Sequence, residues 1–158
     1  MILEIDGSHT GIRFSSCHFI PMHEKCSRLH GHTYVVRLRL EGETDPESGM
    51  VMDFVVLKKK LRAMVDEMDH KILLPSRSKI VKLTNEDGHY EVISCNKKYV
   101  FPSEDVLLMD ITTTTAEEMS KFMVERMIKE VDLPKNVVSI SIGLDEELGQ
   151  TAWYTKVL

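Results

Sequence analysis

The segment HGHTYVVRLRLE, residues 30 to 41, decides the fold. From Val36 onward Val36, Leu38 and Leu40 fall on one side and Arg37, Arg39 and Glu41 on the other, the period-two pattern of a half-buried strand. Carried backwards, the alternation places Tyr34, His32 and His30 on the apolar side. Toward the amino terminus, Ile12, Phe14, Ser16, His18 and Ile20 share one parity, while Arg13, Ser15 and Cys17 share the other. If the two segments pair as antiparallel neighbours, His18, His30 and His32 meet on one face of one sheet, near the end where the strands connect.

Beyond this strand, GETDPESG (Gly42 to Gly49) has turn composition and Asp53 can cap a helix. The inner stripe of that helix is Phe54, Leu57, Leu61, Met64, Val65 and Met68, with Lys58, Lys59, Arg62, Asp66 and Glu67 outside. TTTTAEEM announces a second helix: Thr115 and Glu118 have capping-box spacing, and Met119, Met123, Met127 and Val131 form its apolar stripe before Pro134. VVSISIGLDEE then alternates, with Val138, Ile140, Ile142, Leu144 and Glu146 on one side, and TAWYTKV supplies a last strand. Residues 76 to 108 read as an inserted excursion with a hairpin, HYEVISC and KKYVFP, around Asn96 and Lys97. The order predicts an α+β domain over 1–158: a four-stranded antiparallel sheet with two helices on one face. Open sheet edges of this kind are commonly closed by subunit association, so an oligomer is expected.

Composition narrows the function classes. Twenty basic residues against 25 acidic ones, net charge −5, give no basic excess to follow a phosphate backbone, so nucleic acid is not an expected partner. No apolar run approaches the roughly 20 residues that cross a bilayer. The odd set of cysteines, Cys17, Cys26 and Cys95, and a start (MILEIDGSH) without a charged and then apolar leader fit a reducing cytoplasm.

The chemistry concentrates in CSRLHGH, residues 26 to 32. Side chains at i and i+2 on a strand point the same way, so His30 and His32 can grip a metal from two sides and His18 can complete a three-nitrogen set, with zinc the natural ion. Three protein ligands leave a tetrahedral ion an open, catalytic position, whereas a fourth from Cys26 would make a closed structural clip. A Cys26 that stands off the metal is instead a reactive base or nucleophile. Asp69 and His70 could orient and relay the proton of such a thiol, or could simply end the first helix. Glu146 reads either as a solvated strand-end carboxylate or as an acceptor for adjacent N–H donors of a planar ring. His9, His23 and His89 read as solvated loop residues.

Taken together, FSSCH (14 to 18), CSRLHGHTY (26 to 34), GMVMDF (49 to 54), MDH (68 to 70) and TTAEE (114 to 118) resemble, in order and interval, the 6-pyruvoyl-tetrahydropterin synthase family, including its 6-carboxytetrahydropterin synthase branch. The resemblance implies a tunnelling fold (T-fold), whose sheets join by oligomerisation into a barrel, usually a homohexamer built as a dimer of trimers with active sites between subunits. It implies Zn2+ on His18, His30 and His32, Cys26 as proton acceptor tuned by Asp69 and His70, and Glu146 as pterin anchor and catalytic group, with the backbone near Thr115 assisting. Three residues separate Cys26 from the HGH, which resembles the carboxy-forming enzymes of 7-deazaguanine (queuosine and archaeosine) synthesis; the pyruvoyl-forming animal enzymes show five. A branch making a folate precursor carries glutamate in place of this cysteine.

The implied reaction converts 7,8-dihydroneopterin triphosphate to 6-carboxy-5,6,7,8-tetrahydropterin, acetaldehyde and triphosphate. Lys25, Arg28 and Lys71 are candidate partners of the triphosphate. Two alternatives stand beside it: the pyruvoyl-forming triphosphate lyase, and a noncatalytic zinc-stabilised assembly module. The chain departs from the family pattern at Met68, at Thr114 and Glu118 around TAE, at Glu147 after Glu146, which leaves the anchor open between the two glutamates, and in the 76–108 excursion.

Overall fold

The computed structural model describes residues 1–147 and 149–158. Its strands are β1 (Ile2–Asp6), β2 (Arg13–His18), β3 (His30–Gly42), β4 (Ile72–Pro75), β5 (Lys82–Glu86), β6 (His89–Ser94), β7 (Lys97–Pro102), β8 (Val106–Met109), β9 (Val137–Glu147) and β10 (Gln150–Val157). Its helices are α1 (Gly7–Thr10), α2 (Phe54–Met68) and α3 (Ala116–Glu130).

The 13-residue β3 organises the main sheet. Its two halves share one edge between neighbours: β2 pairs antiparallel from Arg13↔Val35 to His18↔His30, and β1 pairs with Arg37 to Glu41. The short α1 makes the step between them, and Gly7 is required there because a Cβ would lie 2.1 Å from the Val36 carbonyl oxygen. β9 takes the other edge of β3, setting Leu144 beside Val36, Ile142 beside Leu38 and Ile140 beside Leu40. These rows, with Leu57, Leu61, Met64, Val65 and Met68 of α2 and Met119, Met123, Val124 and Met127 of α3, form the main core. Complete burial of each such side chain contributes about 1.5–3 kcal/mol, which is why the period-two and period-3.6 patterns hold against local irregularity.

Both helices begin where their caps predict. The Asp53 carboxylate accepts the Val55 amide at 2.7 Å, and the Thr115 hydroxyl accepts the Glu118 amide at 3.5 Å. Phe54, expected on the inner stripe of α2, is instead 45% exposed, because it occupies the first helical position, ahead of the turn that meets the sheet.

The sheet is larger than the expected four strands. Seven strands run in the order β10-β9-β3-β2-β4-β8, with β1 on β3. It is also mixed, since β4 pairs parallel with both β2 and β8. ILLP and VLLM are four-residue apolar runs with no alternation, so they give no period to read; β4 is largely buried, whereas β8 at the sheet edge leaves Leu108 39% exposed. A second departure lies at the start of β9, where the register slips opposite Glu41 and Gly42. That bulge turns Val137 inward and leaves Val138, expected inside, 49% exposed.

Residues 76–108 contain a separate antiparallel sheet, β5-β6-β7. Left-handed pairs at Asp87–Gly88 (φ 48° and 75°) and Cys95–Asn96 (φ 50° and 59°) make its two tight hairpin turns. The second turn is one residue earlier than Asn96–Lys97, because Lys97 already pairs with Ser94. A smaller core of Phe19, Leu74, Val81 and Val92, flanked by Tyr90, Tyr99 and Phe101, joins this sheet to the main one. Among the described residues no helix is long and apolar enough to cross a membrane.

Candidate active site

His18 closes β2 and His30 opens β3 directly opposite it, with His32 one pleat further on, so the ladder itself gathers the three rings. Ring centroids lie 4.6 Å apart for His18 and His30, 5.2 Å for His18 and His32, and 5.0 Å for His30 and His32. One nitrogen from each ring lies within 4.8 Å of the others.

Backbone carbonyls fix which nitrogen is available. His18 Nδ1 is 2.8 Å from the Thr114 carbonyl and His30 Nδ1 is 2.7 Å from that of Arg28. A carbonyl only accepts, so each Nδ1 carries the proton and each Nε2 is left unprotonated, with a lone pair to offer. Burial, reinforced by the neighbouring imidazoles, lowers the His18 pKa to about 4, despite the Thr114 carbonyl that favours its charged form. The ring is therefore neutral at pH 7, the form that binds metals.

Glu146, the last inward residue of the β9 alternation, aims at the same point. Its Oε1 lies 3.5 Å from His18 Nε2 and 3.7 Å from His32 Nε2, too far for hydrogen bonds. Among the described residues, His32 Nε2 and Glu146 Oε1 are buried polar atoms without a hydrogen-bond partner. Leaving such groups unpaired is costly, and a cation between imidazole nitrogens and a carboxylate would satisfy both. The donor set of His18, His30 and His32 thus fits a divalent ion of the zinc type. Tyr34, two residues beyond His32, points its hydroxyl at His18 Nε2 at 3.3 Å. Burial first, and then the negative charge of Glu146, keep this phenol protonated by raising its pKa.

Cys26 lies in the connection between β2 and β3, outside the metal-ligating cluster. It lines a cavity of about 560 Å³ together with His23, Thr115, Glu146, Gln150 and Trp153, a size suited to a small molecule. Its amide donates to His23 Nδ1 at 3.1 Å, and its carbonyl accepts the Ile20 amide at 2.7 Å. Although exposed as expected for a loop residue, His23 is therefore part of the cavity wall. Glu147 is exposed and does not line the cavity, so of the two adjacent glutamates Glu146 is the one that does; Glu117 of α3 lines it as well.

Asp69 and His70 form a pair of their own. Asp69 Oδ1 accepts the Ser15 amide at 2.7 Å and Oδ2 lies 2.7 Å from His70 Nδ1. The Ser15 amide, with a further contribution from His70, holds the Asp69 carboxyl below its ordinary range. His70 adopts a left-handed backbone (φ 56°) just past α2, and its side chain is 83% exposed. It borders a different cavity, of about 460 Å³, with Ser15, Cys17, Thr33 and Lys71. Within one chain the pair and Cys26 therefore do not share a cavity. Lys25, Arg28 and Lys71 do not line the Cys26 cavity either.

The strand alternation already puts Tyr34 on the histidine face, whereas the Thr114 carbonyl contact has no local sequence signal, being 96 residues from His18. The 6-pyruvoyl tetrahydropterin synthase family model matches residues 9–157. A provisionally named 6-carboxy-5,6,7,8-tetrahydropterin synthase of Methanocaldococcus jannaschii is 36% identical over 100% of this chain and 98% of its own length. The 6-carboxy-5,6,7,8-tetrahydropterin synthase of Aquifex aeolicus is 28% identical over 82% of this chain and 75% of its own. Among solved structures, Plasmodium falciparum 6-pyruvoyl tetrahydropterin synthase superposes with a TM-score of 0.92 at 27% identity, covering 100% of this chain and 98% of that one. A Plasmodium vivax 6-pyruvoyltetrahydropterin synthase with a catalytic glutamate changed to alanine gives 0.91 at 28% identity, with the same coverage. With residues 9–157 matched by the family model and its whole length matched by a relative at 36% identity, the chain belongs to the 6-pyruvoyl tetrahydropterin synthase family.

Proposed function

We propose that this protein is a zinc-dependent lyase that converts 7,8-dihydroneopterin triphosphate and one water to 6-carboxy-5,6,7,8-tetrahydropterin, acetaldehyde and triphosphate, a step of 7-deazaguanine synthesis. The observation that carries this reading is the convergence of three imidazoles and Glu146 beside a cavity that also presents Cys26. His18, His30 and His32 would hold the ion. When bound, zinc would polarise side-chain oxygens of the substrate and acidify the C–H bonds beside them. Cys26 would take up and return those protons, a role suited to a thiolate of modest basicity. Glu146 would accept adjacent N–H donors of the pterin ring, orienting the substrate against the N-terminal end of α3 at Thr115.

Asp69 and His70 enter this reading through assembly. Because His70, held by Asp69, borders another cavity of the same chain, the pair would serve the Cys26 of a neighbouring copy, in the oligomeric barrel expected of the family. Mixing Cys26→Ala and His70→Ala chains under conditions of subunit exchange should then restore turnover at about a quarter of the sites, since random symmetric assembly gives one intact pairing in four. No recovery would place the relay within one chain.

The test of the reaction is incubation of purified, zinc-loaded protein with 7,8-dihydroneopterin triphosphate, with mass identification of the pterin. Acetaldehyde release with a 6-carboxy product supports the reading. Retention of all three side-chain carbons would assign the pyruvoyl-forming activity instead, which the names of the Plasmodium structures favour. A zinc-loaded protein that leaves the substrate intact would favour the noncatalytic module.

A further inference from the structure

The β6–β7 hairpin reaches back to the connection that carries Cys26 and touches it at two places. At its start, the Phe19 ring stacks on Tyr99 of β7, with centroids 5.7 Å apart and planes 16° apart, and Tyr99 stacks in turn on Phe101. Just past Cys26, Lys97 Nζ donates to the Ser27 carbonyl at 3.1 Å, across 70 residues of sequence.

The connection has little else to hold it. Met22 is 84% exposed and adopts a left-handed backbone (φ 67°), and Leu29 is 37% exposed, so the segment between Phe19 and His30 is not pinned by burial along its length. Its internal bonds, Ile20 to Cys26 and Cys26 to His23, shape the turn but do not fix it against the rest of the molecule. Anchors from other elements have to do that: the Thr114 hydroxyl holds the start, donating to the Phe19 carbonyl at 3.2 Å, and the anchor next to Cys26 itself comes from the hairpin.

We propose that the β6–β7 hairpin is the positioning element of the Cys26 loop and that Lys97, through the Ser27 carbonyl, is the positioning residue that keeps the thiol facing the cavity shared with Glu146. The inference rests on the reading of Cys26 as the proton acceptor. It gives the 76–108 excursion a role: the second sheet sets a loop that the first sheet leaves free. A charged donor on a carbonyl beside the reacting residue acts on the orientation of the thiol, so its loss should slow turnover without weakening substrate binding.

The test uses Lys97→Met, which keeps the apolar stem and removes the donor, and Lys97→Arg, which restores a charged donor. Three readouts are taken on the full-length, zinc-loaded protein: hydrogen exchange of peptides over 19–29 and 30–42, iodoacetamide alkylation of Cys26 followed by peptide mass, and kcat and KM on 7,8-dihydroneopterin triphosphate. Lys97→Met is expected to speed exchange over 19–29 and alkylation of Cys26 severalfold. Exchange over 30–42 and zinc content should stay unchanged, and kcat should fall roughly 10- to 100-fold at constant KM, the scale of a misplaced reacting group. Lys97→Arg is expected to return all three toward the parent. The proposal is overturned if Lys97→Met leaves loop exchange and alkylation at parent values, if Lys97→Arg behaves like Lys97→Met, or if protection is lost over 30–42 as well, which would make the contact one of general stability. Should the parent protein not turn over this substrate, the exchange and alkylation results still decide the proposal, so its failure and that of the proposed reaction are separable.

Discussion

The histidines and the cysteine of this site stand on different foundations. His18, His30 and His32 ride on paired strands whose register is fixed by the apolar rows behind them, and backbone carbonyls hold two of the three rings in one tautomer. Cys26 rides on a connection tied down by a few polar contacts and one aromatic stack. The difference separates two tasks: a metal grip must be preorganised at fixed distances, whereas a group that moves protons must be placed, and can be displaced, without undoing the grip.

The largest effect should come from breaking the rigid half. His30→Ala removes a ligand that no other described residue can replace, so zinc affinity should fall by more than about 100-fold, beyond the usual 10–100-fold effect of losing an outer partner of a metal site. Turnover should vanish with it; metal content after dialysis against a chelator reads this directly. Next comes the placed half: Cys26→Ala should lower turnover roughly 10²- to 10⁴-fold, the worth of a positioned acid–base group, while the zinc content and far-ultraviolet spectrum stay those of the parent. A Cys26→Ala protein that lost zinc would merge the two halves and return the site to a structural clip.

A smaller effect lies in the acid stability of the metal-free protein. Folded His18 has a pKa of about 4 against 6.5 for an imidazole in water, so between these values the unfolded chain binds more protons than the folded one. Stability should be intact above about pH 6.5 and fall by about 3 kcal/mol on reaching pH 4. Denaturant titrations of metal-free parent and His18→Gln would isolate this contribution, and a parent as stable at pH 4 as at pH 7 would contradict the buried neutral ring.

The same contrast explains what could be read without coordinates. Period-two alternation, enforced by burial, located the histidines, Tyr34 and Glu146 on one face, and the cap spacings located α2 and α3 at Asp53 and Thr115. It failed where burial has no period, in the parallel strands β4 and β8, and where a bulge exchanges Val137 for Val138. Proximity across loops left no local trace. The motif order joined Asp69 and His70 to Cys26, yet one chain sets them at separate cavities, and the anchoring of the Cys26 loop by Lys97 connects residues 70 apart with no pattern between them.

The central claim is that the strands hold the ion by three imidazoles while the thiol stands off. X-ray absorption at the zinc edge of the loaded protein tests it most directly. The account predicts a first shell of nitrogen and oxygen at about 2.0–2.1 Å, fitted by three imidazoles and one light atom, and a spectrum unchanged by Cys26→Ala. A zinc–sulfur path at about 2.3 Å that disappears in Cys26→Ala would contradict it.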